Sequence, residues 1–177
     1  TGAFATLTYR DMPFVLAPGL WAKLSAPFAK KGVEAERAHK DGLTVSFDSP
    51  EAFDEVFWLT FCDEDYVASD RLKTHTPDDE TITALRRYVA AIVASRPGER
   101  YLSKNNNNLL RIGVLRRAFP NARVVVPFRD PHEQAISLLR QHENFAAELA
   151  DDPFGRSYIG WLGHFEFGPD EKPFAFA

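Results

Sequence analysis

The sequence is poor in cysteine and has no long apolar run. Its 177 residues include a single cysteine, Cys62, which excludes an internal disulfide framework and zinc sites built from several thiolates. No apolar stretch reaches the roughly 18 residues that a membrane-spanning helix needs. Sparse cysteine fits a reducing compartment. The sequence therefore predicts a cytoplasmic protein without a membrane span.

An excess of basic residues is also missing. Lys and Arg number 21 against 25 Asp and Glu, so the net charge is −4 and the pI is about 5.7. This balance disfavours a protein that binds nucleic acid through a broad basic surface, and any phosphate must be held by a few local cations. None of the five histidines has the spacing of a zinc site, so we expect no metal.

The composition that remains is typical of a folded globular protein. Hydrophobic residues make up 45% of the chain and charged residues 26%. The length suits one domain with a sizeable core. No initiator methionine precedes Thr1, and "KPFAFA" ends the sequence on apolar residues. We therefore expect residues 1–177 to be one partial domain, truncated at both ends.

Local patterns predict several elements before the middle of the chain. "TPDDETITALRRYVAAIVASRPG" has an acidic first turn, apolar residues at helical spacing and a Pro-Gly stop, and it predicts a long helix. "DSPEAFDEVFW" predicts another, capped by Asp48 or Ser49 with Pro50 in its first turn. "KDGLTVSF" predicts an Asp-Gly turn at Asp41 and Gly42, followed by a short strand.

The segment "ERYLSKNNNNLLRIGVLRRAFPNARVVVPFRDP" predicts a strand, a helix and a second strand. These elements cover about residues 100–104, 108–119 and 122–128. Two apolar strands joined by a crossover helix form a parallel βαβ unit, so we predict an α/β fold with a parallel sheet and flanking helices. Ligands of such sheets bind at the carboxyl ends of the strands, where Lys104 and Arg129 each close a strand. Both cations are therefore predicted to face one crevice.

A helix is predicted to begin directly after Arg129. Asp130 can cap this helix and Pro131 fits its first turn, which would leave backbone N–H groups for an anion. Ser137 lies about two turns into the helix, so an arginine fork and a hydroxyl could together hold a phosphate. Alternatively, Arg129 pairs with a nearby carboxylate and Ser137 is simply a small helix residue.

Between Glu34 and Phe174 the sequence resembles the sulfotransferases that use 3′-phosphoadenosine 5′-phosphosulfate, specifically their bacterial-type branch. The strongest part is "YLSKNNNNLLRIGVLRRAFPNARVVVPFRDPHEQAIS"; "AHKDG", "SPEAFDEVFW", "RQHENF" and "WLGHFEFG" support it. The resemblance implies a fold of the P-loop nucleotide-binding type. It also implies that Arg129 and Ser137 bind the 3′-phosphate of the sulfuryl donor.

Part of the family's pattern is not found. The resemblance would place a phosphosulfate loop near the amino terminus, but Thr1-Gly2-Ala3 lacks the basic residue and hydroxyl pair that would hold the 5′-phosphosulfate. We therefore expect residues 1–177 to be inactive on their own.

Sulfuryl transfer requires a cation on the leaving phosphate and a base for the acceptor proton. Lys104 is the candidate cation, although a solvated lysine is equally expected at a strand end. Asn105 and Asn106 are candidates for orienting the acceptor, with helix capping and turn formation as the alternative.

His39 in "AHKDG" is the candidate base, since it lies in a polar turn; a surface histidine is the alternative. His75 in "KTHTP" matches the Lys-x-His-x-Pro of cytosolic sulfotransferases. Its place in the chain order argues against that role, because "YLSKNNNN" precedes the arginine strand.

These observations predict a sulfotransferase acting on a hydroxyl or amine of a small-molecule or carbohydrate acceptor. A P-loop kinase is the alternative from the same fold, and it would need Gly-x-x-x-x-Gly-Lys-Ser/Thr. A noncatalytic interaction domain of this fold is a third possibility.

Overall fold

The computed structural model describes residues 4–28, 35–36, 44–96, 98 and 100–176. The chain forms two compact units, Thr1–Phe61 with Pro77–Asn108 and Cys62–Thr76 with Leu109–Ala177. The helices are α1 (Pro18–Ser25), α2 (Glu55–Tyr66), α3 (Asp79–Ala94), α4 (Ile112–Ala118), α5 (Pro131–Leu149) and α6 (Pro153–Trp161). Three-ten helices span Tyr9–Asp11, Ala26–Phe28 and Asn106–Arg111. None of the helices in these ranges is long and apolar enough to cross a membrane.

The strands are short and pair mostly in parallel. They are β1 (Phe4–Ala5), β2 (Ala35–Glu36), β3 (Thr44–Val45), β4 (Leu72–Lys73), β5 (Arg100–Tyr101) and β6 (Phe174–Ala175). In the first unit β1 pairs in parallel with β5, and β2 pairs with β3 in antiparallel fashion. In the second unit β4 pairs in parallel with β6. Parallel strands and flanking helices confirm the predicted α/β class, whereas the single domain over 1–177 stays a prediction.

Helix α3 confirms the clearest sequence prediction. The Asp78 carboxylate caps it by accepting the Thr81 N–H at 2.7 Å. Helical spacing brings Ile82, Leu85 and Ile92 into the core of the first unit, where all three are buried. The amphipathic pattern and the cap are both local properties, which explains why the sequence alone predicts this element.

Each unit has its own apolar core. In the first unit Phe57 stacks on Tyr88 with ring centroids 5.3 Å apart and planes inclined by 15°. The other fully buried side chains of that core include Leu7, Val15, Phe53 and Trp58. In the second unit the buried apolar residues include Cys62, Tyr66, Leu72, Leu110, Val114 and Leu162.

Gly98 allows the chain to pass close to β1 after α3 has ended. Its φ of 121° lies in the left-handed region, which side chains with a Cβ rarely adopt. A Cβ at this position would also lie 2.7 Å from the backbone nitrogen of Ala5. The glycine is therefore needed for the approach that precedes the pairing of β5 with β1.

The predicted strand over residues 122–128 is wrong: this segment pairs with no other strand in the described parts of the chain. Val125 and Phe128 are 83% and 88% exposed. β-Branched residues favour extended backbone, but a strand also needs ladder partners, and Pro127 has no N–H to donate. Strand β5 instead pairs with β1, so the expected βαβ unit does not form.

Helix α2 begins later than the sequence predicts, at Glu55 rather than after Ser49. Ser49 Oγ accepts the N–H of Ser46 at 2.9 Å and so closes a turn instead of capping a helix. The Glu51 N–H donates to the carbonyl of Leu7 at 3.1 Å, which ties this stretch to the amino-terminal segment. Strand β3 matches the predicted short strand, while the Asp-Gly turn at 41–42 lies outside the described residues.

Candidate functional site

The loop after β5 carries Lys104, which lies in the first unit. The Lys104 side chain is exposed. The residues on either side of it bind two buried carboxylates: Ser103 Oγ donates to Asp54 Oδ2 at 2.6 Å, and Asn105 Nδ2 donates to Glu55 Oε2 at 2.8 Å. The loop is therefore fastened on both sides of Lys104, while the ammonium group remains accessible to an anion.

The two asparagines predicted to orient the acceptor occupy different environments. Asn105 Nδ2 also donates to Asp54 Oδ1 at 3.3 Å, and its Oδ1 accepts the Asn107 N–H at 2.9 Å. Both ends of this amide are thus bound within the protein, which is the turn chemistry that the sequence left open as the alternative. Asn106 is exposed and begins a three-ten helix. Its contact with an acceptor stays a prediction.

Two tyrosines of the first unit have raised pKa values. Burial raises the pKa of the Tyr101 hydroxyl well above its usual value, and the Asp54 carboxylate raises it further. Burial also raises the pKa of Tyr88, whose hydroxyl donates to the Val15 carbonyl at 2.9 Å. The charge of Asp54 therefore acts where little water screens it.

Helix α5 begins as the sequence predicts, with Asp130 as its cap and Pro131 in its first turn. Asp130 Oδ1 accepts the N–H of His132 at 3.0 Å and that of Glu133 at 3.1 Å. The expectation that these backbone groups are free for an anion is therefore wrong, because the capping carboxylate already binds them and adds a negative charge. A phosphate at this end of α5 depends on side chains instead.

Arg129 lies at the start of α5 with an exposed side chain. Its Nε donates to Oε1 of Gln134, and within the described part of the chain no carboxylate forms an ion pair with it. Gln134 is followed by Ser137 one helical turn later on the same face of α5. Arg129 therefore contacts a residue on the helix face that also carries Ser137. This geometry suits the two-point binding of a phosphate.

A protein-family model described as "Sulfotransferase family" matches residues 6–165. The chain belongs to the sulfotransferase family. No curated protein and no solved structure gave a match. The matched region of this sulfotransferase includes Lys104, Arg129 and Ser137, so the family assignment and the candidate site come from the same part of the chain.

Lys104 and the Arg129–Ser137 pair of the sulfotransferase lie in different units. The structure describes the surroundings of each group within its own unit. The sequence prediction that both cations face one crevice stays a prediction, as do the individual roles of these residues.

The catalytic base among the histidines is not identified by the described residues. His39, the candidate base, and Asp41 lie outside the described residues. His75 is only 9% exposed and stacks on Tyr66 with ring centroids 5.0 Å apart. The expectation that His75 is not the catalytic base stays a prediction. Within the described ranges no three His, Cys, Asp or Glu side chains come together as a metal site.

Sequence reasoning misses the hydrogen bonds that Asp54 and Glu55 form with the residues beside Lys104 and that Gln134 forms with Arg129. The pattern marks Asp54 only as an acidic residue near a helix start, and it assigns no role to Glu55. The sequence feature that could have identified Asp54 and Glu55 is their position inside the apolar run "AFDEVFW". Burial of the neighbouring aromatic rings would bury these adjacent carboxylates too. Gln134 can be found from its spacing, because it lies three residues before Ser137 on one helix face.

Proposed function

We propose that this sulfotransferase moves a sulfuryl group from 3′-phosphoadenosine 5′-phosphosulfate to a hydroxyl or amine of a small-molecule or carbohydrate acceptor. The observation that carries the proposal is the arrangement at the start of α5, where Arg129 binds Gln134 one turn before Ser137. A guanidinium fork and a hydroxyl on one helix face match the oxygens of a phosphate monoester. In this proposal Arg129 and Ser137 hold the 3′-phosphate of the donor.

The transfer breaks the bond between sulfur and the bridging oxygen of the 5′-phosphate and forms a bond from sulfur to the acceptor atom. Negative charge grows on the departing phosphate, so a positioned cation lowers the barrier. Lys104, in the loop after β5, supplies that cation. His39 takes the proton that the acceptor loses. Asn106 contacts the acceptor, and no metal takes part.

Two alternatives make different predictions. A P-loop kinase would carry Gly-x-x-x-x-Gly-Lys-Ser/Thr ahead of Thr1 to hold its phosphates, and its metal would need an acidic strand end. A noncatalytic domain of the same family would bind the donor without turnover. Membership of the sulfotransferase family favours the transferase over the kinase.

The test is transfer of radiolabelled sulfate to a panel of phenols, alcohols, amines and sugars. We expect no transfer by residues 1–177 alone, because nothing from Thr1 to Leu20 resembles a phosphosulfate loop and catalysis of this kind depends on positioning and charge stabilisation. We expect transfer by a version that carries such a loop ahead of Thr1, extended by about 30 residues, the size of a strand–loop–helix unit.

The outcomes separate the alternatives. Transfer by the extended version, lost when Lys104 is replaced by Ala, supports the proposal. Donor binding by the extended version without transfer to any acceptor would favour the noncatalytic domain. Transfer by residues 1–177 at the rate of the extended version would contradict the expected need for the loop.

A further inference from the structure

Two adjacent carboxylates are buried beneath the loop that carries Lys104. Asp54 is 8% exposed and Glu55 is 1% exposed. A general base must come within about 3 Å of the proton that it removes, and side chains this deeply buried are poorly placed to do so. Their role in the reaction, if they have one, must be exerted through the residues that they contact.

Three hydrogen bonds join these carboxylates to the loop. Asp54 accepts from Ser103 at 2.6 Å and from Asn105 at 3.3 Å, and Glu55 accepts from Asn105 at 2.8 Å. Burying a carboxylate costs several kcal/mol unless donors replace its hydration, so these hydrogen bonds are expensive to break. The residues immediately before and after Lys104 are thereby held at fixed positions.

A second set of hydrogen bonds braces the loop internally. Ser103 Oγ, which donates to Asp54, also accepts from Asn108 Nδ2 at 2.9 Å. Asn105 Oδ1 accepts the Asn107 N–H at 2.9 Å. Asn108 is therefore linked to Asp54 through Ser103, and Asn107 is linked to both carboxylates through Asn105. Lys104 is the exposed cation near the start of the loop.

We propose that Asp54 and Glu55 are positioning residues that hold the Ser103–Asn108 loop so that Lys104 presents its ammonium group to the 5′-phosphate of the donor. This inference rests on the proposed function for the role of Lys104. The carboxylates do not contact the donor. Their effect on nucleotide binding passes through Lys104.

The first experiment measures amide hydrogen exchange in the chain as it exists. Asp54→Asn keeps the shape of the side chain but replaces one acceptor oxygen with a donor, so exchange of amides in the loop should speed up about tenfold or more. Exchange in α3 should not change. Ser103→Ala removes a donor instead of a carboxylate and should have the same effect on the loop. Asp63→Asn, on the exposed surface of α2, is the matched control.

The second experiment measures the affinity for adenosine 3′,5′-bisphosphate in a double-mutant cycle. Lys104→Ala should weaken binding about tenfold, as expected for one charge-assisted contact. Asp54→Asn should weaken it by a similar or smaller factor. The variant with both changes should bind no more weakly than Lys104→Ala alone, because a residue that acts through Lys104 has no effect once that side chain is gone.

Each outcome decides between the proposals. Loop exchange unchanged in both Asp54→Asn and Ser103→Ala, or additive losses in the cycle, would overturn the positioning role. Unaltered binding by Lys104→Ala would overturn it as well, while leaving the binding of the 3′-phosphate by Arg129 intact. A complete lack of nucleotide binding, also by the version extended with a phosphosulfate loop, would instead refute the proposed function.

Discussion

The buried ion pair between Asp11 and Arg96 offers the sharpest test of what holds the first unit together. The Asp11 and Arg96 side chains are 4% and 16% exposed, and Arg96 Nη2 donates to Asp11 Oδ1. The other carboxylate oxygen accepts the Thr8 N–H at 2.7 Å, and Arg96 Nη1 donates to the Thr6 carbonyl at 2.7 Å. These contacts join the residues that follow β1 to the end of α3.

Asp11→Ala should lower the free energy of unfolding by about 3 to 5 kcal/mol, the usual cost of leaving one partner of a buried pair unpaired. The change removes the acceptor of the Thr8 N–H as well. The matched control is Asp48→Ala, which breaks the ion pair with Arg10. There the two side chains are 66% and 33% exposed, so we expect a loss of at most about 1 kcal/mol.

The assay is urea unfolding followed by tryptophan fluorescence, since Trp58 is 1% exposed in the core of the first unit. The slope of the free energy with urea should be the same for both variants, so the midpoints report the difference in stability. Losses that agree within about 0.5 kcal/mol for Asp11→Ala and Asp48→Ala would refute the argument from burial.

Two further predictions concern titration and catalysis. Because burial raises the pKa of Tyr88 and Tyr101, the folded chain keeps protons that the unfolded chain loses, so stability should fall above about pH 10 by about 1.4 kcal/mol per pH unit for each tyrosine. Urea unfolding between pH 9 and 11.5 checks this, and a slope that Tyr88→Phe leaves unchanged would contradict it. In a version that transfers sulfate, His39→Ala should reduce turnover about 100-fold without affecting donor affinity, whereas His75→Ala should leave turnover per folded molecule nearly unchanged. The reverse pattern would identify "KTHTP" as the catalytic motif.

The elements that the sequence predicts well are those that local chemistry determines. Helix α3 combines an apolar stripe with the Asp78 cap, and α5 begins at Asp130-Pro131. Both starts depend on residues within one turn of each other. The sequence is therefore enough to place Arg129 just ahead of α5 and Ser137 within it, although local chemistry does not identify their ligand.

The features that the sequence does not predict depend on partners far along the chain. Residues 122–128 have the composition of a strand, yet β5 pairs with β1 rather than with them. Asp54 meets Ser103 and Asn105 across separations of 49 and 51 residues, and no pattern near "AFDEVFW" identifies those partners. Tertiary contacts decide both cases.

The central claim is that Arg129 recognises the 3′-phosphate of the sulfuryl donor. Calorimetry with adenosine 3′,5′-bisphosphate and adenosine 5′-phosphate tests it most directly, using Arg116→Ala on the exposed surface of α4 as the matched control. In a version with the amino-terminal phosphosulfate loop restored, Arg129→Ala should weaken binding of the bisphosphate by about 1.5 to 3 kcal/mol, the range for charge-assisted hydrogen bonds, and should hardly change binding of the 5′-phosphate. Equal losses of binding free energy for the two nucleotides would contradict the claim. An arginine that binds the 3′-phosphate makes no such contact with a nucleotide that lacks this group.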